Sequence, residues 1–335
     1  MSEFTPLVLT GDRPTGPLHL GHYFGSLVNR KALAQKHPTY LMIADVQALT
    51  DNWDDPQKVA RNVREVLLDN LALDLPETTT IYVQSALPAI AELTVFFSNL
   101  VTLARLQRNP TVKAEIGQKQ EKFGVGGESL TYGFLGYPVS QAADILSLRA
   151  TIVPVGADQL PMLEQTREIA AKFNRIYGEV FPSPETVLSE GSRIMGLDGN
   201  VKMSKSLGNA IYLSDTPEDT LKKIKKAKTD SITGITYDPE ARPEISNLMR
   251  LYALTQEKSI QAIAGEVESM RTGDFKLHLA ESLNAYLSDF RTHRMQLAQN
   301  EDYLQEILRK GTQKANEEAQ KTLTQVKSVM GIRYF

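Results

Sequence analysis

Thr10-Gly-Asp-Arg-Pro-Thr-Gly-Pro-Leu-His-Leu-Gly-His-Tyr23 is the stretch on which the reading of this chain turns. Just ahead of it, Pro6-Leu-Val-Leu9 is a short apolar burst with strand character. Gly11, Gly16 and Gly21, with Pro14 and Pro17, then break regular structure and let the backbone approach a ligand closely. From Leu20 onward, Leu20, Phe24, Leu27, Val28 and Ala32 recur at three- and four-residue steps, the period of a helix. His19 and His22 therefore stand at or near a helix N-terminus, where free N–H groups and the macrodipole favour an anion. Two imidazoles at that place can donate hydrogen bonds to a phosphate as it gains charge. Strand, glycine loop and helix with such a pair form a nucleotide-handling arrangement. By itself the pair could equally be surface decoration or half of a metal site.

A second stretch far along the chain, Lys202-Met-Ser-Lys-Ser206, removes much of that ambiguity. Two lysines bracket small residues among Gly196, Gly199 and Gly208, which predicts a mobile loop over about 196–208. A lysine pair there could be merely a solvated surface. Together, residues 10–23 and 202–206 resemble the two signature motifs of class I aminoacyl-tRNA synthetases. The resemblance implies an α/β fold: a Rossmann-like parallel sheet with helices on both faces, followed by a C-terminal helical domain.

Composition agrees. A chain of 335 residues exceeds one ordinary core and should divide into a large and a small domain; the resemblance implies a catalytic domain over 1–213 and a helical, anticodon-recognition domain over 214–335. Hydrophobic residues at 41% and charged residues at 23% describe a globular protein that needs no membrane. No run is long enough to span a bilayer and no signal sequence opens the chain, so a cytoplasmic enzyme is expected. The absence of cysteine excludes disulfides, thiolate metal sites and thiol nucleophiles, and no structural zinc is expected. A net charge of −3 argues against indiscriminate wrapping of nucleic acid. It leaves room for a local basic surface, and Lys222-Lys-Ile-Lys-Lys-Ala-Lys228 is the dense basic cluster available to meet phosphates.

In chain order, Tyr40-Leu-Met-Ile-Ala-Asp45 reads as a buried strand ending in a polar residue, and Asp55 through Leu75 as a helix with Val59, Val63, Val66, Leu67 and Leu71 on one face. Ile81–Ser85 is the next strand and Pro88–Leu106 the next helical segment. Such alternation argues for a parallel sheet, whose ligands sit outside the carboxyl ends of the strands. By that rule Asp45, Gln47 and Thr50 are candidate site lining. Residues 107–131 break the pattern with no clear apolar stripe; a connecting insertion or a surface loop is expected there, bearing Lys113 and Lys119. Helices are expected again over 245–254, 259–270, 277–293 and 302–329.

Tyr137-Pro-Val-Ser-Gln-Ala-Ala-Asp-Ile-Leu146 is the most informative helix. Tyr137, Gln141 and Asp144 share one face, and three polar groups on a stripe among Val139, Ala142, Ala143, Ile145 and Leu146 would be costly if simply buried. Either the stripe faces solvent or it lines an amino-acid pocket. The strand Thr151–Val155 follows, with Asp158 and Gln159 just past its carboxyl end.

These residues are similar to the substrate face shared by tyrosyl- and tryptophanyl-tRNA synthetases. Val153-Pro-Val-Gly-Ala-Asp-Gln159, Glu164-Gln-Thr-Arg-Glu168, Arg193-Ile-Met-Gly196 and Ala227-Lys-Thr-Asp230 resemble the tryptophanyl branch in particular. Many bacterial members of that branch carry Asn, His and Met where this chain has His22, Gln47 and Gln141, so it resembles a divergent line. The resemblance implies that His19, His22, Lys202 and Lys205 are catalytic. It assigns ATP, with its magnesium, to Arg13, Thr15, Gly21, His22, Asp158, Met203, Ser204 and Lys205. It assigns tryptophan to Leu9, Gly11, Gln47, Tyr137, Gln141, Asp144, Val153, Val155 and Gln159, with no protein-held metal. The implied partners are tRNA(Trp), L-tryptophan, ATP and a second copy of the chain. An indole nitrogen only donates, so a tryptophan site needs an acceptor in an apolar slot, and Asp144 can supply it. A phenol can donate to the same carboxylate, so the pocket residues alone leave tyrosine open. A tyrosyl enzyme, a catalytically silent paralogue that binds RNA or a partner, and a small-molecule adenylyltransferase are the alternatives.

Overall fold

The computed structural model describes residues 4–123, 131–188, 194–199, 202–205 and 207–334, with backbone alone at 118–123. Arg193, Ser206, the Lys119 side chain and the glycines within 124–127 lie outside the described residues. Five strands, β1 Val8–Asp12, β2 Thr39–Ile43, β3 Thr80–Val83, β4 Ile152–Val155 and β5 Glu185–Leu188, form one parallel sheet in the order β3-β2-β1-β4-β5. β2 is buried along its whole length, as a strand covered on both faces must be.

β1 runs three residues past the apolar burst, through Gly11 to Asp12. Its ladder to β2, from Val8 opposite Thr39 to Asp12 opposite Ile43, overrides the freedom of the glycine. A β-carbon on Gly11 would stand 2.7 Å from the Met42 carbonyl oxygen, so the close approach of these strands requires glycine there. Against β4, by contrast, β1 is registered only at Val8 opposite Ile152. Beyond that pair the two strands part. This is the point at which the strand order reverses, where open sheets of this kind bind ligands.

Helix α1, residues 20–34, starts at Leu20–His22, widens into a π-helical turn at Tyr23–Leu27 and resumes at Val28–Ala34. A wide turn of this kind is not marked by apolar periodicity, and it often accompanies a functional site. Helix α2, Pro56–Leu71, is capped by Asp55 and stops short of the expected Leu75. The segment expected to run from Pro88 to Leu106 is divided into α3, Pro88–Ser98, and a short helix Leu103–Gln107. Residues Pro110–Phe123 form helix α4 where no apolar stripe was legible. Its start is fixed by buried Asn109, whose side chain accepts from Thr111 N at 3.0 Å and donates to Gln165 Oε1 at 3.0 Å. Helices α5, Tyr132–Ser147, and α6, Leu160–Tyr177, flank β4 in sequence.

The second half is helical: α7 Pro217–Lys226, α8 Pro243–Thr255, α9 Ile260–Val267, α10 Thr272–Tyr286, α11 Ser288–Ala298 and α12 Glu301–Val329. The single helix expected over 277–293 is two, divided at fully buried Leu287. Alternate residues of the strands feed two cores. Leu41, Ile43 and Ile81 pack with α1, α2 and the helical half; Tyr40, Met42 and Tyr82 pack with α3, α5 and α6. Helix α12 contributes to both, with Leu304 in the first and Ala315, Leu323 and Val326 in the second. It lies along β3, the edge strand: Thr312 Oγ1 accepts the Val83 N–H at 3.3 Å, and a β-carbon on Gly311 would fall 1.9 Å from the Ile81 carbonyl oxygen. Among the described residues no helix is long and apolar enough to cross a membrane.

Candidate active site

Where β1 and β4 part, a cavity of about 320 Å³ opens at the carboxyl ends of the strands. All nine residues assigned to the amino acid line it: Leu9 and Gly11 from β1, Gln47 past β2, Tyr137, Gln141 and Asp144 from α5, Val153 and Val155 from β4, and Gln159 beyond. Their polar atoms differ in what already occupies them. The Tyr137 hydroxyl donates to Glu115 Oε2 at 2.9 Å, and burial beside that carboxylate raises its pKa. Gln141 Oε1 is buried with no hydrogen-bond partner, an open acceptor in the cavity wall. Asp144 is 1% exposed and accepts from Gln84 Nε2 at 2.8 and 3.0 Å through its two oxygens. Burial pushes its pKa up to about 8, partly offset by the Gln84 hydrogen bond and reinforced by the Asp45 carboxylate.

The second group of predicted residues lies beside the cavity rather than in it. His19 caps α1 with its own ring: Nδ1 accepts from Gly21 N at 3.1 Å, and His22 Nδ1 accepts from His19 N at 3.2 Å. The ring centroids are 3.9 Å apart. Accepting at Nδ1 leaves the proton on Nε2 in each neutral ring. Burial and the nearby lysines push His19 down to about 3; the same causes, against Asp12, push His22 down to about 4. Both rings are therefore neutral Nε2–H donors near pH 7, and the helix start that was expected to be open to an anion is partly used by the rings themselves.

The lysine loop adjoins this pair. Lys205 Nζ donates to the Gly16 carbonyl at 2.6 Å, Tyr212 bridges to His19, and Met203 is buried. Burial lowers Lys205 to about 8 against the pull of Asp12 and Asp69. Lys202, bridged to Met195, is exposed. Of the remaining predicted residues, Arg13 lines the cavity and pairs with Asp51 at 2.5 Å. Thr15 is half-buried in the glycine loop and Ser204 N donates to Asn209 at 2.9 Å. Asp158 is exposed, outside the cavity, and accepts from Gln159 Nε2 at 3.1 Å.

A family model described as tRNA synthetases class I (W and Y) matches residues 3–288 of this chain. The chain belongs to that family. The tryptophan–tRNA ligase of Lactococcus lactis is 45% identical over 98% of this chain and 99% of its own length. That of Streptococcus pneumoniae is 43% identical over the same shares. The crystal structure of tryptophanyl-tRNA synthetase from Campylobacter jejuni, complexed with ADP and tryptophan, superposes with a TM-score of 0.83 at 30% identity, covering 97% of this chain and 99% of that one. A tyrosyl-tRNA synthetase from Aeropyrum pernix shares the fold at a TM-score of 0.67 and 18% identity, covering 91% and 89%.

Several residues of this class I synthetase were not singled out from sequence. Arg30 is 1% exposed on α1 and is held by Asp12 at 2.6 and 3.2 Å, by Thr10 at 3.2 Å and by Asn70. Burial would raise the Asp12 carboxyl, but the charge and hydrogen bonds of Arg30 win and hold it at about 2. Asp12 lines the cavity and also acts on His22 and Lys205, so it joins the two ends of the site electrostatically. Gln84 stands one position past β3; the expected strand ran on to Ser85 and so placed it inside the strand rather than at its carboxyl end, where site lining was sought. Arg30 carried a weaker sign: an arginine in the apolar period of α1. Within the basic cluster, Lys223 and Lys228 are engaged by Asp215 and Glu244, while Lys222, Lys225 and Lys226 are exposed.

Proposed function

We propose that this synthetase activates L-tryptophan with ATP and transfers it to tRNA(Trp). The observation that carries the reading is a carboxyl group, Asp144, buried at an aliphatic-walled cavity whose other polar wall, Gln141 Oε1, is an acceptor without a donor. Two acceptors suit an indole N–H and an α-ammonium group. The two N–H bonds from Gln84 leave lone pairs on Asp144 for a further donor. Leu9, Val153 and Val155 supply the apolar walls.

In the first step a carboxylate oxygen of tryptophan attacks the α-phosphorus of ATP. The bond to the bridging oxygen breaks, and pyrophosphate leaves with that electron pair. In the second, a terminal ribose hydroxyl of the tRNA attacks the adenylate carbonyl, loses its proton and expels AMP. No side chain need be a nucleophile. His19 and His22 donate through Nε2–H to the charge developing on phosphate, and Lys205 and Lys202 contribute positive charge as their loop meets it. Arg13, Thr15, Gly21, Met203, Ser204 and Asp158 are assigned to ATP in the same reading. Magnesium enters with the triphosphate as part of the substrate; among the described residues no group of three or more His, Asp or Glu could hold a metal ion. The helical part beyond 213 is proposed to read the anticodon, with exposed Lys222, Lys225 and Lys226 near the tRNA path. A homodimer and a cytoplasmic setting complete the proposal.

ATP–pyrophosphate exchange measured with each of the twenty amino acids, without tRNA, tests the assignment. Tryptophan is expected to drive exchange far better than tyrosine or phenylalanine. Exchange driven best by tyrosine would move the substrate to the sister enzyme; no exchange from folded protein would favour the silent paralogue.

A further inference from the structure

Asp144 is held by a relay that begins on a different strand. Gln84 is 2% exposed, and its Oε1 accepts the Gln47 backbone N–H at 3.0 Å. That bond fixes which way the amide faces. Turned over, it would set N–H against N–H at Gln47 and a carbonyl against the Asp144 carboxylate, losing both ends at once. The support for Gln84 is itself tied down: Asp45 Oδ1 accepts the N–H groups of Val46 at 3.0 Å and Ser85 at 2.9 Å, stapling the exit of β2 to the exit of β3. The amide therefore presents its N–H2 to Asp144 as a fixed fork.

We propose that Gln84 is a positioning residue for amino-acid selection, orienting the Asp144 carboxyl so that its free lone pairs face the indole N–H of the substrate. This rests on the reading of Asp144 as the indole acceptor. The groups that face Asp144 explain why it needs such help. Burial disfavours its charge, the Asp45 carboxylate past β2 disfavours it further, and Tyr82 on β3 is itself buried against it. Gln84 is the neighbour that pulls the other way. With its pKa at about 8, Asp144 is largely protonated in the free site at pH 7. A bound indole N–H favours the carboxylate, so tryptophan uptake near neutrality releases a proton, and its affinity rises with pH until about 8. Phenylalanine has no donor and gains nothing from that ionisation.

The test uses the full-length enzyme and Gln84→Met, which keeps much of the side-chain volume and removes both N–H donors. Tryptophan KM in ATP–pyrophosphate exchange is measured from pH 6 to 9.5. Gln84→Met is expected to raise KM roughly tenfold at pH 7. The rise of affinity with pH should move upward by about a unit, with the effect on KM rather than kcat. Discrimination against phenylalanine should fall in proportion. In an Asp144→Asn background the same change should add little, because Gln84 acts through that carboxylate. A wild-type pH profile in Gln84→Met, or an equal loss in the Asp144→Asn background, would overturn the proposal. Calorimetry of tryptophan binding at pH 8 to the wild type and to Gln84→Met, in buffers of different ionisation enthalpy, reads the carboxyl directly: greater proton release in the variant supports the relay, and equal release refutes it. Failure of wild-type enzyme to exchange with tryptophan would instead strike the functional reading beneath.

Discussion

The two ends of the proposed site, one assigned to the amino acid and the other to phosphate, are built on different plans. The amino-acid end is walled by strand ends and one face of α5, and its central carboxyl is 1% exposed and held by a fixed amide. The phosphate end is made of loop and helix-start residues that occupy one another: the imidazoles cap their own backbone, Lys205 leans on the Gly16 carbonyl and Lys202 is exposed. A pole with a fixed, buried acceptor suits selection, because a mismatched donor leaves that acceptor unpaired. A pole whose cation is lightly tethered suits catalysis, because its contacts can strengthen as charge develops rather than in the ground state. The Arg30–Asp12 pair, buried at 1% and 8% side-chain exposure, lies between them and braces both.

The division of labour can be broken most decisively at the histidines. Replacing His19 and His22 together by Ala should slow adenylate formation by about a thousandfold or more, from the loss of two Nε2–H donors. Lost capping should take about 1 kcal/mol from stability as well. Single-turnover rates and thermal melts separate the two, and an equal loss of tryptophan affinity would mean that the ends are not distinct.

Next in size is Lys205→Ala, expected to cost about a hundredfold in the rate of the first step with tryptophan binding nearly unchanged. Lys202→Ala should act in the same direction and less strongly. A pure rise in the tryptophan dissociation constant with the rate intact would move the lysine loop to the other pole.

Asp144→Asn sharpens the comparison from the opposite side. The asparagine must turn one oxygen to Gln84 or to the ligand, so preference for tryptophan over phenylalanine should fall by roughly tenfold or more, with a smaller change in kcat. Competition between the two amino acids in exchange reads it directly. Unfolding of this variant would reduce Asp144 to a structural group.

The smallest effect expected is none. His19 and His22 lie at about 3 and about 4, and a lowered histidine pKa means that both rings stay neutral as pH rises from 5.5 to 7. The rate at saturating tryptophan should show no limb from imidazole in that window. An inflection near 6.5 that disappears in the double His variant would show that the rings carry charge in the active state.

How much of this was readable beforehand follows from the range of each interaction. Strands β1 to β4 and the polar cavity lining were legible because they rest on local signs: apolar runs, polar residues just past strands, and a three-residue polar stripe on α5; β5, exposed at both ends, carries no such run and was not read. Helix α4 was not, since Asn109 and its contact with Gln165 start it where no apolar stripe does. The division of the helix at Leu287, which is fully buried, belongs to the same class; the early end of α2 was legible, since Pro76 disfavours helix at Leu75 and Asp74 takes a positive φ of 57°. Gln84 on Asp144 and Arg30 on Asp12 and Asn70 join positions 60, 18 and 40 apart, and a single chain shows no sign of such pairings beyond the burial that each partner requires.

Helix α12 gives the molecule a particular order of assembly. β3 is the edge of the sheet, and its neighbour on the outer side arrives 229 positions later, with Thr312 on the Val83 N–H. During synthesis, strands β1 to β5 are all outside the ribosome while that edge still has open backbone groups and a groove shaped for Gly311. At about 5–20 residues per second, the interval from β3 to α12 lasts on the order of ten seconds or more. A nascent chain released early, before residue 312, would carry a nearly complete site on an unfinished sheet.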